Sequence, residues 1–216
     1  MYHFEFVSKK QRAPIKHDLI SIITEVQNLL RNEFTFRFDF VGSDKHNMVT
    51  YDPKSNIGFD FDVNIEVNDE ECNFTAKEIK TKLILAFNKV AGKYGYDHAE
   101  DSTRVITIRY KDYKNSKILH SCDFAIVNSY VDSKGYEHQE YIRFNKKQNS
   151  YSWEEQAKGY YMLPEKAEWI KNNGYQDEMR ELYLYKKNYN HDQYKHSRAL
   201  YAESVHIICQ RHGFYD

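Results

Sequence analysis

Only three prolines, eight glycines and three cysteines occur among 216 residues, and each scarcity removes a class of structure. Without a Gly/Ser-rich tract there is no flexible tether, and no low-complexity segment or internal repeat divides the chain. Cys72, Cys122 and Cys209 are odd in number, widely spaced and free of any CxxC pair. That argues against a disulfide framework or a zinc knuckle and for reduced thiols. No apolar run approaches the roughly 20 residues that span a bilayer. The start, Met1-Tyr2-His3-Phe4-Glu5-Phe6, lacks the basic and apolar regions of a secretion signal. We therefore expect a soluble cytoplasmic protein without a membrane partner. Charge of one sign is missing too: the net charge is -1, so a surface built wholly to hold nucleic acid is not favoured, although a local basic groove remains compatible. Walker-type loops, Gly-x-Ser-x-Gly elbows and His-Glu-x-x-His zinc motifs are all absent.

What is present is aromatic and patterned. Nineteen tyrosines, thirteen phenylalanines and two tryptophans bring aromatics to 16%, and 41% hydrophobic with 29% charged residues is a globular composition. Apolar residues Leu19, Ile22, Ile23, Val26, Leu29 and Leu30 repeat at helical spacing over Ile15 to Arg31. Thr35 to Val41 alternates with period two and stops at Gly42-Ser43. A polar stretch to Asn56 leads to a second strand from Gly58 to about Val67. A helix capped by Asn73 or Thr75 then runs to about Val90. Strands are expected at Arg104 to Tyr110, Ile118 to Val127 and, more weakly, Glu140 to Phe144. From Trp153 on, helical patterns take over: one helix lies between Pro164 and Gly174, and others cover Gln176 to Tyr189 and Tyr194 to Arg211. The fold class expected is α+β: a mixed central sheet of about five strands with flanking helices, then a helical C-terminal part. We divide it as a core over residues 1–150 and a helical region over 151–216.

The chemistry sits on the strands. Residues i and i+2 of a strand share a face, so Asp60 and Asp62 point together while Phe59, Phe61 and Val63 face the other way. Paired carboxylates on a packed strand repel one another unless a cation neutralises them. In His120-Ser121-Cys122-Asp123-Phe124-Ala125-Ile126-Val127, Asp123 is a third acid in an apolar strand. If the two strands are neighbours, three carboxylates converge, as a two-metal phosphoryl-transfer centre requires. Gly42 lets backbone approach a phosphate, Ser43 offers a hydroxyl and an amide, and Lys45 and His46 can add positive charge. Glu66, Asp69, Glu70 and Glu71 read instead as a solvated strand end and loop.

A strand ending in Gly42-Ser43, then the Asp60-x-Asp62 strand, then Asp123 on a later strand resembles the nucleotidyltransferase superfamily of the DNA polymerase beta type, which includes antibiotic nucleotidyltransferases and oligonucleotide synthases. The match covers roughly residues 15 to 130. The gap from Ser43 to Asp60 is longer than in compact members, so an added loop or helix is expected there. The resemblance implies that Gly42 and Ser43 hold a triphosphate. It further implies that Asp60 and Asp62 bind Mg2+ (or Mn2+) and that Asp123 binds the catalytic metal and assists as base. It implies transfer of a nucleoside monophosphate from an NTP, ATP first among them, to a hydroxyl acceptor the sequence does not identify. Helices after residue 151 can supply a lysine for the triphosphate, from among Lys158, Lys166, Lys171, Lys186, Lys187 and Lys195, and an aromatic for the base. Two other readings keep the same residues: a metal-dependent nuclease, and a non-catalytic nucleotide- or partner-binding member. Against the nuclease, no lysine stands two residues beyond Glu66, where Asn68 is found.

Overall fold

The computed structural model describes residues 2–56, 58–69, 71–157, 159–192 and 194–214. Two compact units emerge. One comprises Val7–Tyr51 with Ser55–Gln156; the other gathers the residues preceding Val7, Asp52–Lys54 and the chain from Ala157 onward.

In the larger unit, helix α1 spans Lys9–Leu30. It begins six residues before the expected Ile15, because Ser8 and Gln11 form a reciprocal capping box. Pro14 lies inside the helix and forfeits one backbone bond without ending it. Leu19, Ile22, Ile23 and Val26 are fully buried, as their spacing requires. Strand β1, Thr35–Val41, follows, then a single helical turn, α2, at Gly42–Lys45, and strand β2 at Phe59–Asn68. The inserted stretch before β2 therefore holds a short helix and a two-residue strand, Thr50–Tyr51.

Helix α3, Ala76–Val90, is capped by Thr75 with Glu78 as its box partner, and it runs into a 3-10 turn closed by Gly95 in the left-handed region. Strands β3 (Glu100–Asp101), β4 (Ile106–Asp112), β5 (Lys117–Val131), β6 (Glu137–Asn145) and β7 (Ser150–Glu155) complete the unit. They form one seven-stranded sheet, β1-β2-β5-β4-β3, with β6 beside β5 and β7 beside β6. It is mixed as expected: β2 and β5 are parallel and the other pairs antiparallel. Two strands beyond the expected five appear. β3 has two residues, too few to show periodicity, and β7 carries its alternation on Tyr151 and Trp153 amid polar neighbours.

One face of the sheet is apolar. Phe61, Val63, Ile65, Ile106, Cys122 and Phe124 meet α1 and α3 in a single core. Phe87 of α3 packs on Phe124 with ring centroids 4.3 Å apart.

The smaller unit is helical: α4 is Leu163–Asn172, α5 Gln176–Asn188 and α6 Ser197–His212, close to the expected spans. Ile170, Met179, Tyr183, Leu200, Val205 and Ile208 form its interior. The Asn188 amide grips the Phe4 backbone, accepting from its N–H at 2.6 Å and donating to its carbonyl at 3.1 Å. Among the described residues no helix is long and apolar enough to cross a membrane.

Candidate active site

The strand that carries the two aspartates alternates sharply. Phe61, Val63 and Ile65 are 0–1% exposed, whereas Asp60 is exposed and Asp62 half-buried on the opposite face. Parallel pairing places Asp62 directly beside Asp123 and Asp60 beside Ser121. On the other flank, Val41 lies opposite Asp62, so β1 delivers the Gly42-Ser43 turn to the same carboxylate. Asp60, Asp62, Asp123, Gly42 and Ser43 are brought together on one face.

The turn is built around Asp62. Gly42 adopts φ +60°, and a β-carbon there would overlap the Asp62 carboxylate, so glycine is needed both for conformation and for space. The Ser43 backbone N–H donates to Asp62. Asp44 is fixed from α1 by Arg12, itself buried, and by Lys16 at 2.6 Å; Arg12 also reaches Asn47. Lys45 is exposed. Burial and the neighbouring Lys45 hold the His46 imidazole below the usual histidine range, which disfavours a cation there.

Each carboxylate is anchored by one protein donor. The Ser121 hydroxyl donates to Asp60 Oδ1, and the Thr107 hydroxyl, from β4, donates to Asp123 Oδ1 at 2.6 Å. Both hydroxyl residues are buried. Sequence reasoning passed over them; the signal was a small hydroxyl residue between apolar ones, Ile106-Thr107-Ile108 and His120-Ser121-Cys122, where burial demands a partner. Burial, then the charges of Asp123 and Asp60, pushes Asp62 up to about 6. Asp123 is raised too, chiefly by burial, against the hydrogen bond from Thr107 and the charge of Arg109.

Among the described residues no group of three or more His, Cys, Asp or Glu is arranged to hold a metal ion. Magnesium is commonly bound through only one or two carboxylates, with water and substrate phosphate completing its shell. Hard carboxylate oxygens crowded on one face, two of them with proton affinity raised chiefly by burial, suit such an ion. The residues available to it are Asp60, Asp62 and Asp123.

Elsewhere the expected surface acids are as anticipated in part: Arg37 pairs with Glu66 at 2.5 Å, and Glu71 is exposed. Glu70 and Lys158 lie outside the described residues. In the smaller unit, Lys186 and Lys195 are tied to Glu203, Lys187 sits over Phe4, and Lys166 is buried against Tyr161 and Phe214.

No family model matches the sequence, and comparison with curated proteins gives no match. Solved structures do match. The STING-associated CdnE c-di-GMP synthase from Capnocytophaga granulosa superposes with a TM-score of 0.61 at 14% identity, covering 96% of this chain and 63% of that one. The GTP-bound form of Vibrio cholerae DncV gives 0.54 at 16% identity, over 94% of this chain and 52% of that one. Bradyrhizobium diazoefficiens CdnG, a CD-NTase in complex with GTP, gives 0.51 at 11%, over 83% and 43%. The likeness is one of fold, and this chain spans from under half to under two thirds of their lengths. The fold is that of the nucleotidyltransferases of the DNA polymerase beta type.

Proposed function

We propose that this chain is a metal-dependent nucleotidyltransferase that moves a nucleoside monophosphate from an NTP to a hydroxyl and releases pyrophosphate. The observation that carries this reading is the row formed by the Gly42-Ser43 turn, Asp62 and Asp123 on one sheet face, with Asp60 one step along. The Ser43 hydroxyl and the turn amides other than that of Ser43, which donates to Asp62, would hold the triphosphate. Asp60, Asp62 and Asp123 would hold Mg2+ or Mn2+, which when bound neutralises charge on the reacting phosphate. The acceptor oxygen attacks the α-phosphorus and the bond to the β-phosphate oxygen breaks, so pyrophosphate leaves with that electron pair. The hydroxyl proton passes to Asp123, whose burial-raised proton affinity suits a general base. Holding these groups in place supplies most of the rate, since phosphoryl transfer asks little covalent chemistry of the protein.

The fold neighbours support nucleotides on both sides of the reaction. One is named a c-di-GMP synthase, and others are bound to GTP or to 3'-deoxy ATP. We therefore read the donor as a purine NTP and the acceptor as the hydroxyl of a second nucleotide. We assign the protein to the cytoplasm, in keeping with three free cysteines, two of them buried.

Incubation with each labelled NTP and Mg2+ should yield a labelled transfer product and pyrophosphate. Asp60→Asn and Asp62→Asn should each lower the rate by at least about a thousandfold with the fold retained. Full activity in either variant sinks the assignment, and nucleotide binding without pyrophosphate release establishes a non-catalytic member.

A further inference from the structure

The register arranges two parallel rows on the carboxylate face. One reads Val41, Asp62, Asp123, Thr107, Glu100; the next reads Asp60, Ser121, Arg109. Gly42-Ser43 stands on the β1 flank of the acids, and Arg109 stands on the β4 flank. Arg109 thus lies across the carboxylates from the turn assigned to the donor triphosphate. Its field reaches Asp123, whose proton affinity it lowers.

Arg109 is lightly held. Its Nη1 meets Glu100, and among the described residues no second partner engages the rest of the guanidinium. Arg109 is 31% and Glu100 48% exposed at the side chain, so water screens the pair and exchanging the carboxylate for a better anion costs little. The two line a cavity of 530 Å3 with Asp97, His98, Lys111 and Tyr113. Lys111 is already tied to Asp97 at 2.6 Å, and Asp97 also accepts from Tyr113. Arg109 and Lys111 each have one acidic partner there, and Arg109 alone of the two offers a planar fork with further N–H donors beside the one on Glu100. An anionic acceptor approaching three carboxylates is repelled unless a cation meets it, and the planar guanidinium fork matches a phosphate in two-point geometry.

We propose that Arg109 is an acceptor-side anion site that binds the phosphate of a phosphorylated hydroxyl acceptor, with Glu100 as the resident counter-ion that phosphate displaces. The acceptor-side assignment rests on the nucleotidyltransferase reading above.

The test is calorimetric titration of AMP and of adenosine into the whole chain with Mg2+ and saturating α,β-methylene-ATP, which fills the donor position without transferring. AMP should bind more tightly than adenosine. Arg109→Gln should weaken AMP about tenfold and leave adenosine unchanged, and Arg109→Lys, which keeps charge without the fork, should fall between. Glu100→Gln should tighten AMP several-fold, opposite in sign to Arg109→Gln. Equal binding of AMP and adenosine to the wild type overturns the proposal, as does equal weakening of both ligands by Arg109→Gln or weaker AMP binding in Glu100→Gln. Should the ATP analogue fail to bind while AMP keeps its Arg109-dependent advantage, the donor assignment falls and the anion site stands.

Discussion

The two faces of the sheet are made by the same strands and differ in almost every physical respect. On β2, Phe61, Val63 and Ile65 are sealed beneath α1 and α3; one residue away in each case, Asp60 and Asp62 look out onto the carboxylate face. β5 repeats the division with Cys122 and Phe124 inward and Ser121 and Asp123 outward. The inner face stabilises the fold by burying apolar surface, and the outer face costs stability by crowding like charges. Because the side-chain period is two, a slip of one residue would exchange the two roles. The core therefore holds the register on which the site depends.

The largest effect should come from the inner face. Phe61→Ala should cost about 4 kcal/mol in denaturant unfolding, with no selective loss of nucleotide binding in the molecules that remain folded. A smaller loss would mean that the core does not hold the register.

The outer face should respond with the opposite sign. Burial and the neighbouring acids push Asp62 up to about 6 in the fold, above the ordinary carboxylate value of about 4. The folded state therefore binds the proton more tightly, and stability falls as pH rises from about 4 through about 6. Asp62→Asn carries no charge to bury, so it should be more stable than wild type at pH 7.5 by on the order of 2 kcal/mol, with the gain vanishing near pH 4. Mg2+ should raise the wild-type melting temperature at pH 7.5 and raise that of Asp62→Asn less. A destabilised Asp62→Asn at pH 7.5 would show that the carboxylate is held by more than its neighbours account for.

The finest cut separates the carboxylates from their anchors. Thr107→Val removes the hydroxyl that donates to Asp123 and should weaken Mn2+ binding, read by electron paramagnetic resonance, by about tenfold. Thr107→Ser should restore it. Unchanged affinity in the valine variant would assign Thr107 to packing alone.

Much of the arrangement was legible along the chain. The alternation of Thr35 to Val41 matches β1 to the residue, and the Asp60-x-Asp62 pattern correctly put the acids opposite the phenylalanines. The start of α1 lay outside the apolar repeat, because the first turns from Lys9 are polar and their capping signal is the Ser8–Gln11 box. Strand β7 was hidden because a helical reading began at Trp153, which pairs with Ile142 instead. Thr107 and Ser121 carried a weak signal as hydroxyls in buried runs, but their partners, like that of Arg109, are set by which strands lie side by side.

Local chemistry therefore determined which side of its strand each residue occupies, that Gly42 closes β1, and that three strand acids need a counter-charge. These follow from a two-residue period and from the cost of crowding carboxylates, both of which act within a few residues. Only the tertiary structure decided that β5 lies beside β2 in parallel, joining Ser121 to Asp60 across 61 residues of chain, and that β4 brings Thr107 and Arg109 to the acids. Strand adjacency is chosen by the shared core beneath α1 and α3, where apolar area from distant segments is buried together, and no local pattern encodes that choice.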